Sequence, residues 1–398
     1  MQYLDSYIFS INWAGQETNL DPADFSFSIR DSIHNFFSEI SFEVKDITGL
    51  FQEAYLNTDS IPLSISYGIV NQSNLSCNYV IDSDETKSTY SSDSIGGPLK
   101  LKATHAYYDL SEEKSDAYPG RISDVIQNLV STEYGFSHYN INDTGCDITW
   151  YRPLYTQREF IEKILLPNAY SYNSHESPFF CWIDSNNGFN LRNYYSMITT
   201  NSYKTYKLVN YNGSNNKLLD GIIMDLRRMK VGSYLTKKYW NRDLWSRDRY
   251  TGEENHDMDH ITDYPSGQKG QLPILENNLD SGCYDLIYSE TDPNLLDCFK
   301  GRKINSTKDA MFLERFILTV PLDTNILAGT LLELNLPIKQ SNSGGINSLS
   351  YSDKYLCESV DHVWSGTKRL GYTQCIISRK FVTVPNNSLI KLQMMVGS

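Results

Sequence analysis

At 398 residues the chain is too long to organise around one hydrophobic core, so two to four domains are expected from surface-to-volume scaling. With 48 acidic against 35 basic residues, its formal charge of −13 repels a phosphate backbone and disfavours generic nucleic-acid binding. Twenty-nine tyrosines beside 16 phenylalanines and 6 tryptophans favour strands and buried subunit contacts. Seven cysteines (Cys77, Cys146, Cys181, Cys283, Cys298, Cys357, Cys375) form no CxxC pair and read as mostly buried thiols. Met1 to Gly15 lacks the basic and apolar regions of a secretory signal, and no run approaches the ~20 apolar residues that span a bilayer. The chain is therefore expected to be made in a cytoplasm and to stay soluble or assemble there.

The first 110 residues read as strands joined by polar turns. Phe25–Arg30, Ile40–Lys45, Leu63–Tyr67 and Leu99–Ala103 each alternate apolar and polar residues, which puts one face inward and suggests a small antiparallel barrel or sandwich. Ser91 to Pro98, with Gly96-Gly97-Pro98, reads as an exposed loop. The period then changes. Ile122, Val125, Ile126, Leu129 and Val130 fall at helical spacing, with Gly135 just past the end. Thr156 and Glu159 form a capping box for a second helix that carries Phe160, Ile161, Ile164 and Leu165 inward and ends near Pro167. Phe179–Asp184 and Phe189–Asn193 flank Ser185-Asn-Asn-Gly188, a hairpin signal because Asn and Gly tolerate positive φ. Residues 111–215 are accordingly expected to form an α+β domain.

Residues 216–309 are a connecting segment, charged and aromatic. Arg227, Arg228, Lys230, Lys237, Lys238, Arg242, Arg247 and Arg249 are interleaved there with Tyr239, Trp240, Trp245 and Tyr250. Arginine stems packed on aromatic faces explain the pattern, and a surface gripping an anionic polymer is the sharper alternative. Residues 310–398 return to strands, at Arg315–Pro321, Leu331–Asn335, Lys354–Val360 and Tyr372–Arg379, with a Ser341–Ser348 loop between.

Catalytic signatures are weak. His256 and His260 have i, i+4 spacing with Asp257, Asp259 and Asp263 nearby, but Asp257 stands where a zinc protease motif has glutamate. They remain weak candidates for metal, in a cell-envelope hydrolase. GxSxG, P-loop and GxGxxG sequences are missing, so no catalytic residue and no cofactor is assigned. Trp150, Trp182, Trp240, Trp245 and Trp364 could stack on sugars in a glycan- or receptor-binding module, although core and interface roles are commoner.

The order of elements, together with Gly329–Asn335, Lys354–Gly366 and Tyr372–Arg379, resembles the baseplate hub proteins of contractile-tailed phages and the hub portion of the type VI secretion spike protein VgrG. Tyr355, Val360, His362, Tyr372, Thr373 and Arg379 match that family's two final strands, and Cys357 stands where valine is frequent. Tyr155–Leu165 followed by Phe179–Asp184 matches a helix placed before a strand pair. The resemblance implies a β-rich α+β multidomain chain with tube-like antiparallel barrels at residues 1–110 and 310–398. It implies a non-enzymatic virion protein at the tail tip or baseplate, assembled in the host cytoplasm. Such a protein would form a homotrimer whose pseudo-sixfold ring joins a tail tube protein to a central spike protein. Baseplate wedge and tape measure proteins would be further partners, and DNA would pass through the channel only in transit.

Overall fold

The computed structural model describes residues 7–13, 16–18, 21–45, 60–69, 75–82, 98–106, 112–136, 138–145, 147–171, 177–208, 221–229, 242–248, 254–257, 283–289, 301, 304–305, 308–312, 314–336 and 352–379. The first third is strands: β1 (Tyr7–Trp13), β2 (Gln16–Thr18), β3 (Phe25–Ser32), β4 (Glu39–Lys45), β5 (Ser60–Ile69), β6 (Leu75–Asp82) and β7 (Pro98–His105). Alternation sets their orientation. Phe25, Phe27 and Ile29 on β3 and Ile40, Phe42 and Val44 on β4 all face one core. Leu63, Ile65, Tyr67, Cys77, Tyr79 and Trp364 join them. Burying an aromatic or aliphatic side chain of this size contributes about 1.5–3 kcal/mol. Pro98, read from sequence as part of a loop, instead opens β7 opposite Lys45. The first residue of a strand is where a missing N–H is tolerated. The rest of that expected loop lies outside the described residues.

The middle third contains β8 (Lys114–Arg121), α1 (Ile122–Thr132), β9 (Tyr139–Ile141) and β10 (Asp147–Tyr155). A helical run follows, made of α2 (Gln157–Phe160), a π-helical turn (Ile161–Leu165) and α3 (Leu166–Asn168). Next come β11 (Phe179–Ile183), β12 (Phe189–Asn193) and α4 (Tyr194–Thr199). The expected capping box is present: Glu159 N donates to Thr156 Oγ1 at 3.1 Å, and Thr156 N donates to Glu159 Oε2 at 3.3 Å. The hairpin turn also forms, with Asn187 at φ 57° and Asp184 N donating to the Gly188 carbonyl at 3.0 Å. Asp184 Oδ1 accepts from the amides of Asn186 and Gly188, which pins the turn. The apolar faces of α1, the second helical run and the β11–β12 hairpin share one core, which Phe36 and Phe37 enter from the β3–β4 connection.

The remaining strands are β13 (Thr205–Lys207), β14 (Asp225–Arg228), β15 (Arg242–Asp248), β16 (Glu254–Asp257), β17 (Cys283–Ser289), β18 (Glu314–Pro321), β19 (Leu331–Asn335), β20 (Asp353–Ser365) and β21 (Leu370–Arg379). Strands β15–β17 form a small sheet of their own. The others join the first third in a 13-stranded sheet ordered β14-β18-β21-β20-β3-β4-β7-β6-β5-β1-β2, with β19 on β20 and β13 on β19. Its two halves enclose separate cores, the second built on Phe316, Leu318, Val320, Leu332, Tyr355, Val360, Cys375 and Ile377. The named strands form no closed ring. A bridge between Lys207 and Ile222 does connect β13 to the residues just before β14.

Candidate functional site: the seam of the sheet

Strand β20 makes the two halves one sheet. Its first residues pair with β19, Leu356 opposite Leu331, and its last pair with β3, from Ser359 opposite Ser32 to Ser365 opposite Ser26. β21 lines its other edge from Leu356 to Ser365. The change of neighbour coincides with a register shift between Cys357 and Ser359, where Glu358 is the extra residue. A bulge of this kind re-aims a side chain. Here the Glu358 carboxylate, 3% exposed, takes a bidentate pair from Arg315, Nε to Oε1 and Nη2 to Oε2, both at 2.7 Å. His34 Nε2 lies 2.8 Å from Oε2. Arg315 and His34 hold this carboxyl below its usual range against the opposing effect of burial. The Glu358 carbonyl accepts from Ile33 N at 2.9 Å, so the bulge also fixes the end of β3.

Further contacts cross the seam. Arg30 donates to Asp361 directly across the ladder, Nε to Oδ1 at 2.7 Å and Nη2 to Oδ2 at 2.9 Å. Trp364 Nε1 donates to the Pro22 carbonyl at 3.0 Å, and Tyr67 OH donates to the Val363 carbonyl at 3.2 Å. Gly366 sits where a Cβ would come within 2.3 Å of the Phe25 carbonyl, so the β20–β21 turn closes on β3 only without a side chain.

A second buried carboxylate lies two positions beyond Ile29 on β3. Asp31 Oδ2 accepts from Ser185 Oγ at 2.7 Å and Ser185 N at 3.1 Å, joining the sheet to the β11–β12 turn. Its Oδ1 is buried without a partner. Full burial, with the Asp184 carboxylate nearby, pushes Asp31 up to about 7.

The residues matched on the last two strands divide by face. Tyr355, Val360, His362, Thr373 and Arg379 are buried, whereas Tyr372 lies on the opposite, partly exposed side. Arg379 pairs with buried Glu314 at 2.7 Å and with Asp353 at 2.9 Å, its guanidinium 5.2 Å from the Tyr355 ring centroid. His362 places Nε2 3.1 Å from the Ile326 carbonyl and Nδ1 3.2 Å from Thr373 Oγ1. Burial lowers it to about 4, so it is neutral, donating through Nε2 and accepting at Nδ1. Thr373 Oγ1 accepts from Asp323 N at 2.9 Å. The Asp323 carboxylate in turn accepts from Tyr203, Tyr206 and Lys204 at 3.0, 3.0 and 3.2 Å. These residues organise an interior and present no nucleophile or base to solvent.

His256 stands on the extended backbone of β16, whereas His260 lies outside the described residues. No cluster of three or more His, Cys, Asp or Glu side chains able to hold a metal occurs among the described residues. Trp150, Trp182 and Trp364 are 5%, 1% and 0% exposed, which removes them as sugar-stacking surfaces. Trp240 lies outside the described residues, as do the side chains of β15, including Trp245. Cys77, Cys181, Cys357 and Cys375 are buried free thiols, as composition led one to expect. No described helix is long and apolar enough to cross a membrane.

Asp31, Glu314 and Glu358 do not stand out in the sequence as site residues. Asp31 and Glu314 left a signal, since each occupies an inward position of its strand's alternation, in line with Phe25, Phe27 and Ile29 or with Phe316, Leu318 and Val320. A bulge moved Glu358 out of any such register.

No family model matches the chain, and no curated protein matches it by sequence. Solved structures do match. The tail protein of Neisseria meningitidis MC58 is similar at a TM-score of 0.52 and 11% identity, over 94% of this chain and 96% of that one. The 43 kDa tail protein of prophage MuSo2 from Shewanella oneidensis is similar at 0.55 and 11%, over 94% and 99%. A chain of the Francisella PdpA–VgrG complex gives 0.48 and 10%, over 96% and 59%. At such identities the likeness to the two tail proteins is one of fold, and it spans nearly the whole of each chain. The resemblance first drawn from element order therefore holds at the level of architecture.

Proposed function

We propose that the chain is a non-enzymatic structural subunit of a phage-type tail, a hub at the tail tip or baseplate. The observation that carries this reading is the continuous sheet in which β20 is shared by two strand-rich halves, in a fold common to two tail proteins along their full length. A rigid connection between two tube-like units within one subunit is what a hub needs. Three copies would supply six such units, meeting a sixfold tube on one side and a threefold spike on the other. The Lys207–Ile222 bridge supports the barrel reading of the last third, because it links the two ends of that arc of strands. The −13 charge suits a channel through which DNA passes without adhering.

In this reading the middle third lies outside the ring, facing wedge components, and the tube, spike and tape measure proteins are the axial partners. Residues 1–110 and 310–398 are the tube-like units, and residues 216–309 complete the connection between them. Tyr355, Val360, His362, Tyr372, Thr373 and Arg379 are proposed as the framework of the second unit rather than as a ligand site. Light scattering of the purified chain, with particle imaging, is the test. A trimeric ring with a central opening is expected, and a strict monomer at micromolar concentration would remove the hub assignment.

A further inference from the structure

Among the described residues, β8 and β10 form a two-stranded sheet of their own. Alternation sorts its side chains between two faces. Trp150, opposite Tyr118, packs on the core of the middle third, and Arg152 is buried on the same side. Thr149 opposite Pro119 and Tyr151 opposite Ala117 are exposed on the other side. Tyr151 is 70% and Leu154 65% exposed, the highest values of any large hydrophobic residue among those described.

The chain holds this exposure in place at a conformational cost. The register of β10 on β8 shifts between Arg152 and Tyr155, so Pro153 and Leu154 form a bulge, and both are exposed. Leu154 has φ 41°, in the left-handed region where its Cβ crowds the backbone and glycine is the ordinary occupant. Arg152 supports the bulge from beneath. Its side chain is wholly buried, Nε donating to the Tyr155 carbonyl at 2.6 Å and Nη2 to the Glu112 carbonyl at 2.7 Å. An exposed leucine kept in a strained conformation over a fixed support is organised for contact with another molecule, since its own fold gains little from it.

The surroundings define the partner. Thr149, Pro119, Tyr151, Ala117, Pro153 and Leu154 carry no charge, and the charges at the borders of this face are compensated. Asp147 stands opposite Arg121, Lys114 pairs with Glu112 at 3.0 Å, and Lys163, over the Tyr155 ring, pairs with Glu159. A face with balanced charge attracts neither a phosphate backbone nor an anionic membrane. Pro119 and Pro153 lack the N–H that an added strand would use, so the contact is made by side chains. We propose that Tyr151 and Leu154 form a knob that enters an uncharged apolar pocket on a different tail protein, an assignment that rests on the hub reading above. In that reading the strand-rich halves make the contacts between copies, which leaves this face of the middle third to another component.

The test replaces the chain's own gene with Leu154→Gly, with Tyr151→Ser, and with a form carrying the photoreactive amino acid benzoylphenylalanine in place of Tyr151. Purified Leu154→Gly and Tyr151→Ser are expected to keep the oligomeric mass of the wild type and to melt at its temperature or above, because glycine accepts the backbone of residue 154 without strain. Their recovery in complete tails should fall about tenfold or more, as when a central side chain of an interface is truncated. Photolysis of purified tails should join residue 151 to a different tail protein, identified by mass spectrometry. Normal recovery of both variants overturns the proposal, as does a cross-link to a second copy of this chain or to nothing. Melting temperatures lowered in both variants also overturn it, because the residues then serve their own fold. A wild-type chain absent from purified tails overturns the hub reading and this proposal together.

Discussion

Asp31 and Glu358 are buried carboxylates on adjacent strands, and their surroundings give them opposite electrostatic character. Glu358 faces a bidentate arginine and a histidine, which hold it ionised below the usual carboxylate range. Asp31 faces a serine hydroxyl, a backbone amide and another carboxylate, and its proton is retained up to about pH 7. Burial alone does not decide whether a group is charged; the available cation does. Glu358 locks the seam between the halves of the sheet. Asp31 ties the sheet to the middle third through a contact whose strength depends on pH.

The sharpest way to break this contrast is Glu358→Ala. It strands Arg315 beside the bulge and should cost about 3–5 kcal/mol, read as a shift in the urea midpoint. Asp31→Asn should act in the opposite sense. The folded value of about 7 lies above the ordinary 3.8, so the native state keeps a proton that the unfolded chain releases between those values. The contribution of Asp31 is therefore full below about pH 4 and is lost as the pH rises to about 7. At pH 8 Asp31→Asn should stabilise the protein by up to about 4 kcal/mol, and by little at pH 4. His362 and His105, both lowered to about 4 by burial, give the wild type an opposing loss of stability as the pH falls below the ordinary histidine value of 6.5. The difference between wild type and Asp31→Asn isolates the carboxylate, and equal stabilities at pH 8 would refute its high value. Smallest is Thr156→Ala, which removes the capping box and touches neither carboxylate's hydrogen bonds. It should cost about 1 kcal/mol independently of pH between 6 and 8.

Local features were legible and long-range ones were not. The capping box at Thr156 and the Asn-Gly turn at 187–188 are written in contiguous residues with a stereochemical reason, and both form as expected. So is the alternation of β3, β4 and β18. The pairing of β3 with β20 joins residues about 330 positions apart, as in Arg30 with Asp361, and no periodicity within either strand names its partner. The bulge at Glu358 was hidden for a related reason, since it is defined only by two different neighbours along one edge of β20. Arg192 lay inside a hairpin strand correctly placed, and nothing in that strand's own residues discloses that its Nε is buried without a hydrogen-bond partner among the described residues.

The long strand β20 also has a mechanical consequence. Thirteen residues of unbroken backbone run through both halves of the sheet, flanked on one side by β21 along most of their length. A pull along this strand is carried by covalent bonds along its length, and separation of the halves requires the β3–β20 rungs to slide past one another together instead of opening one at a time. Tension applied along that axis therefore loads all seven β3–β20 pairs at once, while a sideways tear need only unzip them in sequence.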